Sequence, residues 1–176
     1  MSHFTTHQNK ISIKTIDTLA SRKDKHFNIH NIWLEVIKPR NIFLVEDDED
    51  DQQFFIEAIK KIDTSIVLNI SKNGVEALTK LNNMDELPDV IFMDINMPLM
   101  NGFACLTELK KQIRFKTIPV VILSTTNNPA EAELAVMLGA SFFLSKPSHF
   151  PLLKKNIARI VDLYYPIPIM EAFISN

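Results

Sequence analysis

Ile42-Phe43-Leu44-Val45, closed by Glu46-Asp47, and its counterpart Val90-Ile91-Phe92-Met93, closed by Asp94, decide how this chain folds. Both runs are apolar throughout and end abruptly in acid. A half-buried strand alternates apolar and polar residues. An unbroken apolar run is covered on both faces, which marks a parallel sheet. The segments 66–70, 120–123 and 142–144 read the same way. Helical spacing fills the gaps between them. Phe55, Ala58, Ile59 and Ile62 mark a helix over 52–62, and Val75, Leu78 and Leu81 mark one opened by Asn73-Gly74. Phe103, Leu106, Leu109 and Ile113 mark a third. Pro129 starts a fourth, where its missing N–H costs nothing, and Gly139 can end it in a left-handed conformation. A fifth runs from about 150 to 164, with Leu153, Ile157, Ile160, Val161 and Tyr164 on one face. Asp50 or Asp51 is placed to cap the first helix. Strands alternating with helices, joined by right-handed crossovers, give an α/β fold with a doubly wound parallel sheet.

Composition excludes several classes. In 176 residues, 46% are hydrophobic and 23% charged, average for a globular domain and unlike a disordered chain. The single cysteine, Cys105, rules out a disulfide framework or cysteine-rich zinc site and reads as packing. No apolar run approaches bilayer length and the first ten residues lack a signal-type apolar core, so a cytoplasmic protein with no membrane role is expected. Residues 1–40 hold seven Lys/Arg against three acids (+4), leaving 12 basic and 18 acidic residues (−6) in 41–176. An acidic body repels nucleic acid, so direct DNA binding is not expected. The shift at Pro39 sets a domain boundary: a basic extension over 1–40, flexible or partly helical, a domain over 41–165, and a short tail over 166–176. His3, His7, His26 and His30 crowd the extension, but no cysteine or acid completes a ligand set with them. Ile29, Ile32, Trp33, Val36 and Ile37 have helical spacing and could dock on the domain.

In a parallel sheet all strand C-termini lie along one edge, and ligands bind there where strand order reverses. Just past the strands stand Glu46-Asp47, Asp94, Ser124 and Lys146. If the first and third strands are neighbours, three carboxylates share one crevice. They repel unless a cation sits among them, and all-oxygen donors suit Mg²⁺. Lys146 adds a point cation and Ser124 a hydroxyl. Carboxylate, metal, lysine and hydroxyl together suit transfer of a phosphoryl group onto an aspartate. Plainer readings compete: Asp94 as a loop cap, Lys146 as a surface lysine, Ser124 as a turn residue and Phe143 as core. Asp48, Glu49, Asp50 and Asp51 read simply as solvated acids at a helix N-terminus. Neither acidic stretch is an EF-hand, because the required glycine would fall at Gln52 or Leu99.

These residues resemble the response-regulator receiver family. Residues 43–48 look like its first strand and acidic pair, 91–102 like its phosphoacceptor strand and loop, 119–124 like the strand with its Thr/Ser switch, and 139–147 like the last strand with its lysine. The resemblance covers about 41–163 and implies a CheY-like sheet of order 2-1-3-4-5 with five flanking helices. It implies that Asp94 is the phosphoacceptor, that Glu46, Asp47, Asp94 and the carbonyl of Asn96 hold Mg²⁺, and that Lys146 pairs with the phosphoryl group. It makes Ser124 and Phe143 the switch pair, and the Lys146–Pro147 bond cis. The chain departs in having Glu46 for the commoner Asp, Ser124 for Thr, and Phe143 without a Tyr hydroxyl. The expectation is a stand-alone response regulator. A sensor histidine kinase or histidine phosphotransfer protein would phosphorylate it. A protein target would read the face made by the fourth helix, last strand and last helix, and a homodimer is compatible with this. The 11 residues after Tyr165 are too few for a DNA-binding output module. It is expected to catalyse only its own phosphorylation and dephosphorylation. One rival is a non-switching interaction module. The other is an aspartate-based phosphatase, whose second acid two residues after the nucleophile would here be Asn96.

Overall fold

The computed structural model describes residues 41–147 and 149–164, with side chains through Asp162. The N-terminal histidines, the apolar pattern over 29–37 and the C-terminal tail lie outside the described residues. Within them the order is β1 (Asn41–Val45), α1 (Glu49–Ile62), β2 (Val67–Ser71), α2 (Gly74–Asn83), β3 (Val90–Asp94), α3 (Gly102–Lys111), β4 (Val120–Ser124), α4 (Pro129–Met137), β5 (Phe142–Ser145) and α5 (Phe150–Tyr164). All neighbouring strands pair in parallel, in the order β2-β1-β3-β4-β5. The expected doubly wound sheet is thus present.

The apolar runs divide between two cores by the period-two geometry of a strand. Ile42, Leu44, Val90, Phe92, Val121 and Leu123 point to one face, where Phe55, Ala58 and Ile59 of α1 and Ile157, Ile160 and Val161 of α5 cover them. Phe43, Val45, Ile91, Met93, Val120 and Ile122 point to the other, against Ala77, Leu81, Cys105, Leu106, Leu109 and Ala135 from α2, α3 and α4. Residues over 42–45 and 90–93 are therefore buried on both faces. Continuous apolarity was the right signal for that.

Local details differ from expectation. The cap of α1 is Asp48, whose Oδ1 accepts from the backbone N–H groups of Asp50 and Asp51. The helix starts at Glu49, three residues before the expected start at Gln52, because its first turn needs no core contact, and its acids suit the positive pole. α3 stops at Lys111, and Ile113 lies beyond it at 83% exposure. Gly139 is at φ +93, the left-handed stop expected of it. No peptide bond among the described residues is cis, so Lys146–Pro147 is trans, against the expectation.

Candidate functional site

Register fixes the site. Val45 of β1 pairs with Met93 of β3, so Glu46 and Asp94 emerge side by side at the carboxyl edge. The Glu46 N–H donates to the Ser71 carbonyl at 2.9 Å, carrying the ladder one residue past β1. At the other side of the crevice the Lys146 N–H donates to the Ser124 carbonyl at 2.6 Å, carrying β5 one residue past its end.

The carboxylates of Glu46, Asp47 and Asp94 each place an oxygen within 4.8 Å of the others. Glu46 and Asp94 are buried, at 2% and 4% exposure, while Asp47 is half-buried. Lys146 reaches into this group and donates to Glu46 Oε2 and Asp51 Oδ2 at 2.7 Å each, with Asp94 Oδ1 at 2.6 Å. Its three ammonium protons thus face three carboxylates. Asp94 Oδ2 accepts from the Asn96 N–H at 2.5 Å. Glu46 Oε1 accepts from the Asp48 N–H at 3.3 Å, and the Gln52 side chain donates to the Glu46 carbonyl at 2.6 Å. Burial pushes the Glu46 carboxyl up to about 7, with Lys146 pulling the other way. Burial would lower the Lys146 ammonium, but its bonds to Asp51, Asp94 and Glu46 outweigh that and hold it well above the ordinary lysine value. Lys146 is therefore a fixed cation at neutral pH.

The residues present fit a hard divalent cation. The donors are all carboxylate oxygens, the class that Mg²⁺ and Mn²⁺ prefer. Asp47 makes no side-chain hydrogen bond or ion pair to the described residues, which leaves its carboxylate open to a cation.

The structure brings together Glu46, Asp47, Asp94, Lys146 and the backbone of Asn96. It does not join Ser124 or Phe143 to them by a side-chain bond. Ser124 is 1% exposed, and its hydroxyl donates to Glu131 Oε2 at 2.9 Å. Phe143 is half-buried against the α2–α3–α4 core and lines a cleft of about 490 Å³ with Thr125, Lys146, Pro147 and His149. Two participants went unread in the sequence. Asp51, one of the acids that the sequence presents as solvated in the α1 first turn, binds Lys146. Glu131 binds Ser124. Nothing in the local sequence distinguishes either.

This sheet order, with acids past β1 and β3 and a lysine past β5, defines a receiver-type α/β domain. The chain belongs to the response regulator receiver domain family, whose model matches residues 42–158. It is 30% identical over 131 residues to response regulator Rcp1 of Synechocystis, covering 72% of this chain and 89% of that one. A crystal structure of the Mn²⁺-bound form of Rcp1 superposes with a TM-score of 0.64 at 28% identity, covering 74% of this chain and 98% of that one. The phosphorylated cyanobacterial phytochrome response regulator RcpA superposes with a TM-score of 0.68 at 27% identity, covering 73% and 96%. Longer proteins also match. The chain spans 15% of the sensor histidine kinase CheAY of Helicobacter pylori, at 27% identity over 122 residues, which is 69% of this chain. It spans 30% of a protein-glutamate methylesterase/protein-glutamine glutaminase of Rhodospirillum rubrum, at 36% identity over 119 residues, or 66% of this chain. Among the described residues no helix is long and apolar enough to cross a membrane.

Proposed function

We propose that this protein is a response regulator whose receiver domain accepts a phosphoryl group on Asp94 from a phosphohistidine. The observation that carries this is the convergence of Lys146 on Asp94 and Glu46 beside the open carboxylate of Asp47. An Asp94 carboxylate oxygen forms the new P–O bond as the P–N bond to histidine breaks, and the electron pair leaves with the imidazole. Lys146 already bonds the nucleophile and so sits where charge develops on the phosphoryl oxygens. The Asn96 N–H orients the carboxylate through its second oxygen. Asp47, Glu46, Asp94 and the Asn96 carbonyl are the residues that would hold Mg²⁺, which supplies Lewis-acid stabilisation of phosphoryl charge when bound. The family membership and the Mn²⁺-bound relative support that assignment.

The acyl phosphate carries about −1.5 to −2 charge at pH 7 by analogy with other phosphorylated side chains, in place of the −1 of a carboxylate, so it adds about −0.5 to −1. Ser124 then donates to it, Phe143 follows inward, and the face of α4, β5 and α5 changes shape for a protein partner. The phosphodonor is a sensor histidine kinase or histidine phosphotransfer protein. The chain turns over no other substrate, acts in the cytoplasm and does not bind DNA itself. Residues 41–165 form the receiver, flanked by the basic extension over 1–40 and the tail over 166–176. The test is intact mass after incubation with Mg²⁺ and a small acyl phosphate. A single phosphoryl adduct on the wild type, absent from Asp94→Asn and abolished by a chelator, is expected. No adduct on the folded wild type would overturn the proposal.

A further inference from the structure

The Ser124 hydroxyl has one proton, and in this structure that proton is already committed. Glu131 Oε2 accepts from Ser124 Oγ at 2.9 Å and from Thr126 Oγ1 at 3.0 Å. An ionised carboxylate only accepts, so both hydroxyls donate to it. The Thr126 N–H in turn donates to Ser124 Oγ at 3.1 Å, occupying a lone pair. Glu131 lies in the first turn of α4, behind the Asn128 cap. The bond therefore ties the end of β4 to the start of the helix that bears the exposed Leu134, Val136 and Met137. Ser124 itself is buried, so water cannot easily substitute for Glu131.

We propose that Glu131 is a positioning residue that holds Ser124 in the resting arrangement, competing with a phosphoryl oxygen on Asp94 for the same hydroxyl proton and so setting how readily the protein switches. The inference rests on Asp94 being the phosphoacceptor. A serine with one proton cannot serve both acceptors. Whatever the Glu131 bond contributes to the resting state is lost on switching, and it biases the two-state equilibrium by that amount. Release would also free the first turn of α4 from β4, which links the serine to the apolar face of α4 without any longer pathway.

The test is calorimetric titration of the full chain with beryllofluoride, a phosphoryl mimic, in saturating Mg²⁺. Removing a hydrogen bond to a partly solvated charged acceptor predicts that Glu131→Ala tightens beryllofluoride binding by about threefold to tenfold. Glu131→Gln keeps an uncharged acceptor oxygen and should tighten it less. In a Ser124→Ala background neither change should alter affinity, which a merely structural role for Glu131 would not predict. Unchanged or weaker binding by Glu131→Ala, or a gain that survives in Ser124→Ala, overturns the inference while leaving the site reading intact. If Glu131→Ala fails to fold, Glu131→Gln alone decides by the same comparison. If the wild type binds no beryllofluoride, or Asp94→Asn binds it equally well, the reading of Asp94 fails and the inference falls with it.

Discussion

Gly102→Ala isolates the packing that places Asp94. A Cβ built on Gly102 would lie 2.2 Å from the Asp94 carbonyl oxygen, 3.0 Å from Ile95 Cα and 3.1 Å from the Asp94 carbonyl carbon. A carbon and a carbonyl oxygen approach to about 3.3 Å, so the start of α3 must retreat from the end of β3 by about 1 Å. All the opposing atoms are backbone, and no rotamer change can relieve them. The Gly102 N–H also donates to the Ile95 carbonyl at 2.9 Å, and retreat stretches that bond. Overpacking of this kind and one weakened hydrogen bond, less the better helix propensity of alanine, predict a loss of about 3 kcal/mol. For a domain of this size that lowers Tm by about 10 °C. Gly74 provides the contrast. Its Cβ would meet Met100 Cγ at 2.7 Å, Cys105 Cβ at 2.8 Å and Met100 Sδ at 2.9 Å. Met100 can swing away, but the Cys105 Cβ is fixed to the α3 backbone, so α2 and α3 must part by about half an ångström and Gly74→Ala should cost about 2 kcal/mol, less than Gly102→Ala because the retreat is smaller. The assay is urea unfolding followed by far-ultraviolet circular dichroism, with Mg²⁺ affinity as a second readout. Gly102→Ala displaces Asp94 and should weaken Mg²⁺ binding by about tenfold or more, equivalent to about 1.4 kcal/mol, whereas Gly74→Ala should not. Wild-type stability in Gly102→Ala, or a larger cost at Gly74, would mean that the contact with the Asp94 carbonyl does not hold this junction together.

Lys146→Met removes the one ammonium shared by Glu46, Asp51 and Asp94. The rate of adduct formation with a small acyl phosphate, read by mass spectrometry, should fall by about a hundredfold or more. Leu99 has φ +63 with its side chain 85% exposed, so it bears left-handed strain without compensating burial. Leu99→Gly should therefore raise stability by up to about 1 kcal/mol, read by urea unfolding. Glu46 holds its proton more tightly folded, at about 7, than unfolded, at 4.5. Its ionisation therefore opposes folding, and metal-free stability should fall by up to about 3 kcal/mol as pH rises through that window, then level off. Glu46→Gln should remove that component, as unfolding at pH 5 and pH 8 with a chelator would show.

What was legible in the sequence was what the strands impose. The runs over 42–45, 90–93 and 120–123 are apolar on both faces because two cores flank them, and that pattern survives in one dimension. Glu46, Asp47, Asp94 and Lys146 were legible because a parallel sheet sends the residue after each strand to one edge. The order of the strands was not in the periodicity at all. It came with the family resemblance, and TM-scores of 0.64 and 0.68 to solved response regulators agree with it. Asp51 was hidden by its neighbours. Six consecutive acids, Glu46 to Asp51, offer no local reason for the last to meet a lysine 95 residues away. Only the turn of α1 selects it, and the same turn gives the cap to Asp48 rather than Asp50 or Asp51. Glu131 was hidden similarly, since a loop and a helix start separate it from Ser124. The trans Lys146–Pro147 bond corrects the resemblance at that point.

Phosphorylation is expected at Asp94 and at no other carboxylate of the crevice. Borohydride reduces an acyl phosphate on aspartate to homoserine, leaving free carboxylates untouched. Wild-type protein treated with Mg²⁺ and a small acyl phosphate, reduced, digested and sequenced by tandem mass spectrometry, should show homoserine at position 94 alone. Reduction at Asp47, at Asp51 or as the corresponding alcohol at Glu46, or no reduced residue in a folded sample, would contradict the account.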